Sequence, residues 1–380
     1  MSAARIMAAA FAAAIVFMSA SDVRAQHTEN YNLCGKPGAA ADERIAACNA
    51  VIASGRETGK RLAYLYGSRG AAYRDKDDLD RAIRDYDEAV RLDPNGADSY
   101  LLRGHGHRGR GDVDRAIADY STSVKLAPKQ PQGYVGRGNA YADKGDLDRA
   151  IVEYTAALKV DPKYVLAYNN RGNRHYDKKD YDRAIADYSE AIRLNPGYAD
   201  AFGSRGKSYV AKGDIDRGIA DLTDAIRRQS VARYFIDRAG AYERKRDYDR
   251  AAADLSEATK LERGNADTWN ALCWDRAIVG RELQQALSDC DESLRLRAGD
   301  ASTLDSRGFV YLKLGRLDDA VADFDAALKL SPKLAGSLYA RGVVKLKQGS
   351  AAAGNADIAA AKLLQADIAE DYARFGVPVP

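Results

Sequence analysis

Histidine, cysteine and tryptophan are scarce in this chain of 380 residues, with four, four and two copies. The histidines are His27, His105, His107 and His175, and none pairs with a cysteine at metal-ligand spacing; no Cys-x-x-Cys occurs. His105 and His107, the one close pair, would stand roughly 200° apart around a helix, which is poor geometry for a single metal. No glycine-rich phosphate loop, Walker pattern or nucleophile–base constellation appears, so neither a cofactor nor enzymatic activity is expected. Charge of one sign is also lacking. The net charge is +3 from 58 basic and 55 acidic residues, and nucleic acid recognition would need a concentrated basic face. After Met18 no apolar run is long enough to span a bilayer, so no integral membrane segment is expected in the mature chain.

What the chain does have is a period. Pro94, Pro128, Pro162 and Pro196 recur every 34 residues, and so do Gly70, Gly104, Gly138, Gly172 and Gly206. A fixed period of this size signals a stacked array rather than one globular core. In the copy Val165–Tyr198, Tyr168, Gly172 and His175 fall at i, i+4, i+7 on one face of a first helix. Tyr181, Ala184, Tyr188, Ala191 and Ile192 mark one face of a second. Lys178-Lys179-Asp180 fills the turn where other copies have Lys-Gly-Asp, and Asn195-Pro196 stops the second helix. Such a hairpin cannot bury its apolar side alone, so neighbours must stack.

The order Tyr168, Gly172, His175, Ala184, Tyr188, Ala191, Pro196 resembles the tetratricopeptide repeat pattern, with His175 departing from its usual Tyr and Arg171 from its usual Leu. The resemblance covers about 80% of the chain. It implies an all-α fold, a right-handed superhelical solenoid of about nine helix-turn-helix units with atypical caps. The expected units are 63–96, 97–130, 131–164, 165–198, 199–231, 232–265, 266–300, 301–334 and 335–368. The fifth is one residue short and the seventh one residue long, which implies a change of twist around residues 228–285.

Residues 1–25 read as a secretory signal: Arg5, the apolar run Ile6–Met18, and the small-x-small exit Val23-Arg24-Ala25. Removing them takes out Arg5, Arg24 and Asp22 and leaves a net charge of +2. The alanine-rich run suits export in a Gram-negative bacterium, to the periplasm or beyond it. Residues 26–62 form a degenerate N-terminal cap whose Asp42–Cys48 stretch resembles a second helix. Residues 369–380 complete a C-terminal capping helix, Ile368–Phe375, and a tail. Cysteines in an exported chain favour disulfides. Cys273 and Cys290 replace the glycine and the aromatic of one hairpin, so Cys34–Cys48 and Cys273–Cys290 are the expected pairs.

Two periodic rows read as architecture. Arg69, Arg103, Arg137, Arg171, Arg205, Arg238, Arg307 and Arg341 share one place on the first helices, with Leu272 breaking the row. Asp85, Asp119, Glu153 and their counterparts share one place on the second helices, and an arginine–carboxylate contact would hold the register.

In proteins of this resemblance the first helices line a concave groove, and groove asparagines clamp an extended peptide backbone. The candidate peptide-binding residues are therefore His105, Arg108, Asn139, Leu166, Asn169, Asn170, Asn173, Tyr176 and Lys207. An asparagine side chain carries donors and an acceptor, so it can pair with a peptide's C=O and N–H together. Further along, Ile236, Trp274, Ile278, Phe309 and Leu312 make an apolar lining, either a second binding surface or a seat for the C-terminal helix. The expected function is a non-catalytic scaffold binding a protein or peptide in the cell envelope. The alternative is an accessory subunit of an envelope enzyme or polysaccharide-export machine, binding glycan.

Overall fold

The computed structural model describes residues 20–379, so residues 1–19 of the expected signal segment lie outside the described residues. Every regular element described is helical. The chain divides into two compact units, one ending at Arg174 and the other beginning at His175. The first holds α1 (Ala20–Cys34) and α2 (Ala41–Ala53), then the hairpins α3 (Gly59–Asp75) with α4 (Leu79–Leu92), α5 (Ala97–Gly109) with α6 (Val113–Leu126), and α7 (Pro131–Asp143) with α8 (Leu147–Val160). The division falls inside α9 (Val165–Asp177). The second unit holds α10 (Tyr181–Leu194), then α11 (Ala199–Lys212) with α12 (Ile215–Arg228), and α13 (Ala232–Arg244) with α14 (Tyr248–Leu261). It continues with α15 (Ala266–Val279) and α16 (Leu283–Leu296), α17 (Ala301–Lys313) and α18 (Leu317–Leu330), α19 (Ala335–Lys347) and α20 (Ala351–Leu364), and a final short α21 (Ile368–Arg374).

Local chemistry accounts for the helix ends. Asp78, Asp146, Asp180, Asp214 and Asp247 each accept a hydrogen bond from the backbone N–H three residues on, which satisfies an otherwise orphaned donor of the second helix. The residues before the prolines, Asp93, Ala127, Asp161, Asn195 and Ser331, leave the helix with φ of −132° to −136° and ψ of 68° to 98°. Gln229, Glu262 and Arg297 adopt the same geometry without a following proline, so packing of the next hairpin imposes this turn as well. The turn within each hairpin needs a left-handed residue. Gly111, Gly145, Gly213, Gly315 and Gly349 supply it at no steric cost, while Asp77, Lys179 and Arg246 take it with φ of 60° to 61°.

Within a hairpin the helices cross at a glycine facing an aromatic ring. A Cβ on Gly70, Gly104, Gly138 or Gly308 would stand 2.7 Å from Tyr86, Tyr120, Tyr154 or Phe324. Ala239 replaces the glycine where the partner shrinks to Leu255, and both are buried. At the same place in the seventh hairpin stands a disulfide, Cys273–Cys290, with a Cα–Cα distance of 5.3 Å. A second disulfide, Cys34–Cys48, joins α1 to α2.

The arginine row locks successive hairpins together. Arg205 holds Asp221 in its own hairpin with two bonds, of 2.7 and 2.9 Å, and reaches Ser189 of the preceding second helix at 3.0 Å. Arg69, Arg103, Arg238, Arg307 and Arg341 repeat this fork on Asp85, Asp119, Asp254, Asp323 and Asp357, and each reaches a polar side chain on the preceding second helix. Arg137 reaches Glu153 with one bond of 2.8 Å. Charge-assisted, two-pronged bonds of this kind fix orientation as well as distance. Where Leu272 breaks the row, Arg276, one turn further along α15, takes over Asp289.

Candidate functional site

Successive first helices touch: α3 with α5 and α5 with α7 in the first unit, α11 with α13, α15 with α17 and α17 with α19 in the second. Among the described residues, successive second helices make no comparable contact, so within each unit the first helices form the inner layer. Between α13 and α15 that contact thins, at the stretch where the short and long copies fall.

In the first unit the inner layer carries a linked polar row. Asn139 Oδ1 accepts two hydrogen bonds, from the Tyr154 hydroxyl at 2.7 Å and from Asn170 Nδ2 at 3.1 Å. Tyr154 is a core ring with 1% exposure, so its hydroxyl needs an internal partner, and Asn139 is that partner. One period earlier His105 plays the same part, its Nδ1 sharing a 2.8 Å hydrogen bond with the Tyr120 hydroxyl. Burial pushes the His105 imidazole down to about 4, so the ring is neutral at ordinary pH. These bonds leave over the amide NH2 of Asn139 and the carbonyl oxygen of Asn170.

The other expected groove residues divide between the units. Leu166 is exposed near the start of α9, and Asn173 is half-buried on the same helix. Arg108 is held by Asp143, at 2.5 and 3.3 Å. Asn169 is buried at 6% exposure and its Oδ1 lacks a partner. It stands in the place of Val135 and Leu101, one and two periods earlier, which pack inward. Tyr176 and Lys207 belong to the second unit. Tyr176 leans on Tyr181 with ring centroids 5.5 Å apart, and exposed Lys207 stands 3.6 Å from Asp237.

His107 and His175 are core residues at 7% and 8% exposure, each within 4 Å of a buried carboxylate. Among the described residues no group of three or more His, Cys, Asp or Glu is placed to hold a metal ion, and no helix is long and apolar enough to cross a membrane.

In the second unit the apolar lining is covered. Phe375, beyond the end of α21, meets Trp274 at 5.8 Å and Phe309 at 6.4 Å, and Tyr372 meets Phe309 at 5.6 Å and Tyr339 at 4.8 Å. At Trp274, Ile278, Phe309 and Leu312, which share one core with Tyr372 and Phe375, the lining seats the C-terminal helix, while Ile236 packs in a separate core. Sequence reasoning singled out Trp274 and Phe309 but missed Lys313, Asp275 and Tyr372, which complete the seat. An aspartate within Ala271–Val279, a stretch otherwise apolar except for Arg276, was the available signal for Asp275.

Helical hairpins stacked at a period of 34 residues, locked by an arginine row and showing an inner layer of first helices, define an α-helical repeat protein. Family models described as TPR repeat match residues 70–107, 138–176, 172–213 and 308–349, and one described as tetratricopeptide repeat matches residues 204–267. The chain belongs to the tetratricopeptide repeat family. No curated protein matches it. Among solved structures, a tetratricopeptide repeat protein from Parabacteroides merdae ATCC 43184 is 18% identical with a TM-score of 0.52, over 66% of this chain and 96% of its own, a likeness of fold. YrrB, described as a TPR protein with an unusual peptide-binding site, is 21% identical with a TM-score of 0.46, over 50% of this chain and 97% of its own. A MamA protein is 27% identical with a TM-score of 0.38, over 44% and 91%.

Proposed function

We propose that this protein is an exported scaffold that binds an extended segment of a partner protein across the inner face of α5, α7 and α9. The observation that carries the reading is the bonded pair Asn139–Asn170, 3.1 Å apart, which leaves the donor group of one beside the acceptor of the other. That is the complement of one residue of an extended chain, whose own N–H and C=O face the same side and need one of each. Each such bond is worth only about 1 kcal/mol net, so useful affinity needs several places along the row. Exposed Leu166 on α9 adds an apolar contact to those bonds. Two cysteine pairs at bonding distance support a cell-envelope setting, since structural disulfides persist in oxidising compartments.

The test is crosslinking in living cells with a photoreactive side chain at Leu166, exposed on the inner face, and a control at Val152, exposed on the second-helix side. The reading expects a discrete protein band at Leu166 that is absent at Val152 and weakened by Asn170→Ala. No band at either place, with the protein folded and exported, overturns it. Asn170→Ala is chosen over Asn139→Ala because the latter would also strip the Tyr154 hydroxyl of its partner.

A further inference from the structure

We propose that the inner face of α13, α15, α17 and α19 is a second docking groove, occupied in cis by residues 368–377 as an exchangeable plug. Its partner in trans is a protein segment carrying two aromatic side chains three residues apart and a basic side chain beyond them. The inference stands on the second unit alone and does not rest on the asparagine pair.

The plug is held as a ligand would be. Tyr372 and Phe375 insert between Tyr339, Phe309 and Trp274, in two edge-on contacts of the kind aromatic pairs prefer and one tilted contact. Lys313 Nζ donates to the main-chain carbonyl of Phe375 at 3.0 Å while holding the carbonyls of Ala277 and Ile278 at 2.8 and 3.2 Å. It thus reads backbone, not sequence. α21 has only seven residues and joins α20 through Gln365, Ala366 and Asp367, too short to be stable by its own propensity.

The fit is also incomplete. The hydroxyls of Tyr339 and Tyr372 are buried without partners, and so are both carboxylate oxygens of Asp275, which is 1% exposed. Buried polar groups in a finished core are paired, because an unpaired one bears the full cost of leaving water. Asp275 neighbours Trp274 in sequence and lies within electrostatic reach of Glu243 on α13 and of Tyr248, whose ring Phe375 touches at 6.2 Å. The Phe375 end of the groove therefore holds a buried carboxyl that the plug leaves unpaired, and an arriving cation would hold it ionised. A lysine or arginine delivered there would form the missing bonds, which is why the partner in trans carries a basic residue.

The experiment measures binding of a fluorescently labelled peptide with the sequence of residues 366–379, and of versions with one lysine walked through the places of 376–379, to the full mature protein. In the Tyr372→Ser/Phe375→Ser variant the plug cannot compete, and the peptide should bind at least tenfold more tightly than to the wild type. One lysine-bearing peptide should gain at least threefold further, a gain lost in Asp275→Asn. Hydrogen exchange on the unmodified protein provides the second readout: residues 369–377 should exchange orders of magnitude faster than α17. Equal peptide affinity for variant and wild type overturns the proposal. So does a variant that loses its cooperative melt, or protection of residues 369–377 equal to that of α17, because the segment is then a permanent cap. If no lysine-bearing peptide gains, the basic requirement is wrong.

Discussion

Tyr154 lies so close to Gly138 that a methyl group on the glycine would stand 2.7 Å from the ring. Gly138→Ala should therefore destabilise the first unit by about 1–3 kcal/mol, the usual cost of overpacking, less the gain of up to about 1 kcal/mol that alanine brings to a helix. The sixth hairpin already holds the relaxed version, Ala239 with Leu255. Tyr154→Leu in the Gly138→Ala background should consequently cost less than Tyr154→Leu alone. Urea melts of the four proteins give the coupling, and additive effects would refute a direct clash.

Asp77, Lys179 and Arg246 hold the left-handed place that glycine fills in the other turns. An L-residue pays about 1–2 kcal/mol for that conformation. Arg246→Gly should raise stability by roughly 1 kcal/mol after the added freedom of the unfolded chain is subtracted. A thermal melt reads it directly, and a lower melting temperature would show that the side chain contributes more than the backbone loses.

The repeat made most of the fold legible, because each place could be read in eight or nine copies and the exceptions stood out. The Gly–aromatic crossing, the arginine row and the proline stops are all of this kind. What pattern could not supply was how neighbouring side chains share hydrogen bonds. Asn139 looked like a groove residue offering both its groups, yet a core hydroxyl 15 residues on takes its acceptor. The signal existed in the pairing of Tyr120 with His105 and of Tyr154 with Asn139, against Tyr86, whose hydroxyl is buried without a partner. Asn169 was misjudged for a different reason: its residue type suggested solvent, but its place in the repeat belongs to inward-packing Val135 and Leu101. The C-terminal segment left no periodic trace because it occurs once.

Arg205 and Asp221 make a two-pronged contact in which the carboxylate is 7% exposed. Arg205→Ala would strand that charge, at a cost of about 3–5 kcal/mol. Arg205→Ala/Asp221→Ala should cost less than Arg205→Ala alone, since no unpaired charge remains. Hydrogen exchange across α11 and α12 localises the effect. A double variant at the summed cost of the single ones would show that the two residues contribute independently.

The two units should respond to pH in opposite directions. In the first, burial pushes His105 down to about 4, below its ordinary 6.5. The unfolded chain then binds more protons between those values, so stability is lost as pH falls through this window. In the second, burial and the charge of Glu243 push Asp275 up to about 8, and burial takes Asp305 up to about 6 despite its bond from Ser337. Here the folded state binds more protons, so stability is present below the ordinary carboxylate value near 3.8 and is lost as pH rises through 6 and 8. Hydrogen exchange at pH 5, 7 and 9, corrected for intrinsic rates, should show α15 and α17 loosening toward pH 9 while α5 and α6 loosen toward pH 5. Asp275→Asn should flatten the alkaline response and leave the acid response of α5 untouched. An unchanged alkaline response in that variant would place the titrating group elsewhere in the second unit, with Asp305 the next carboxyl to replace.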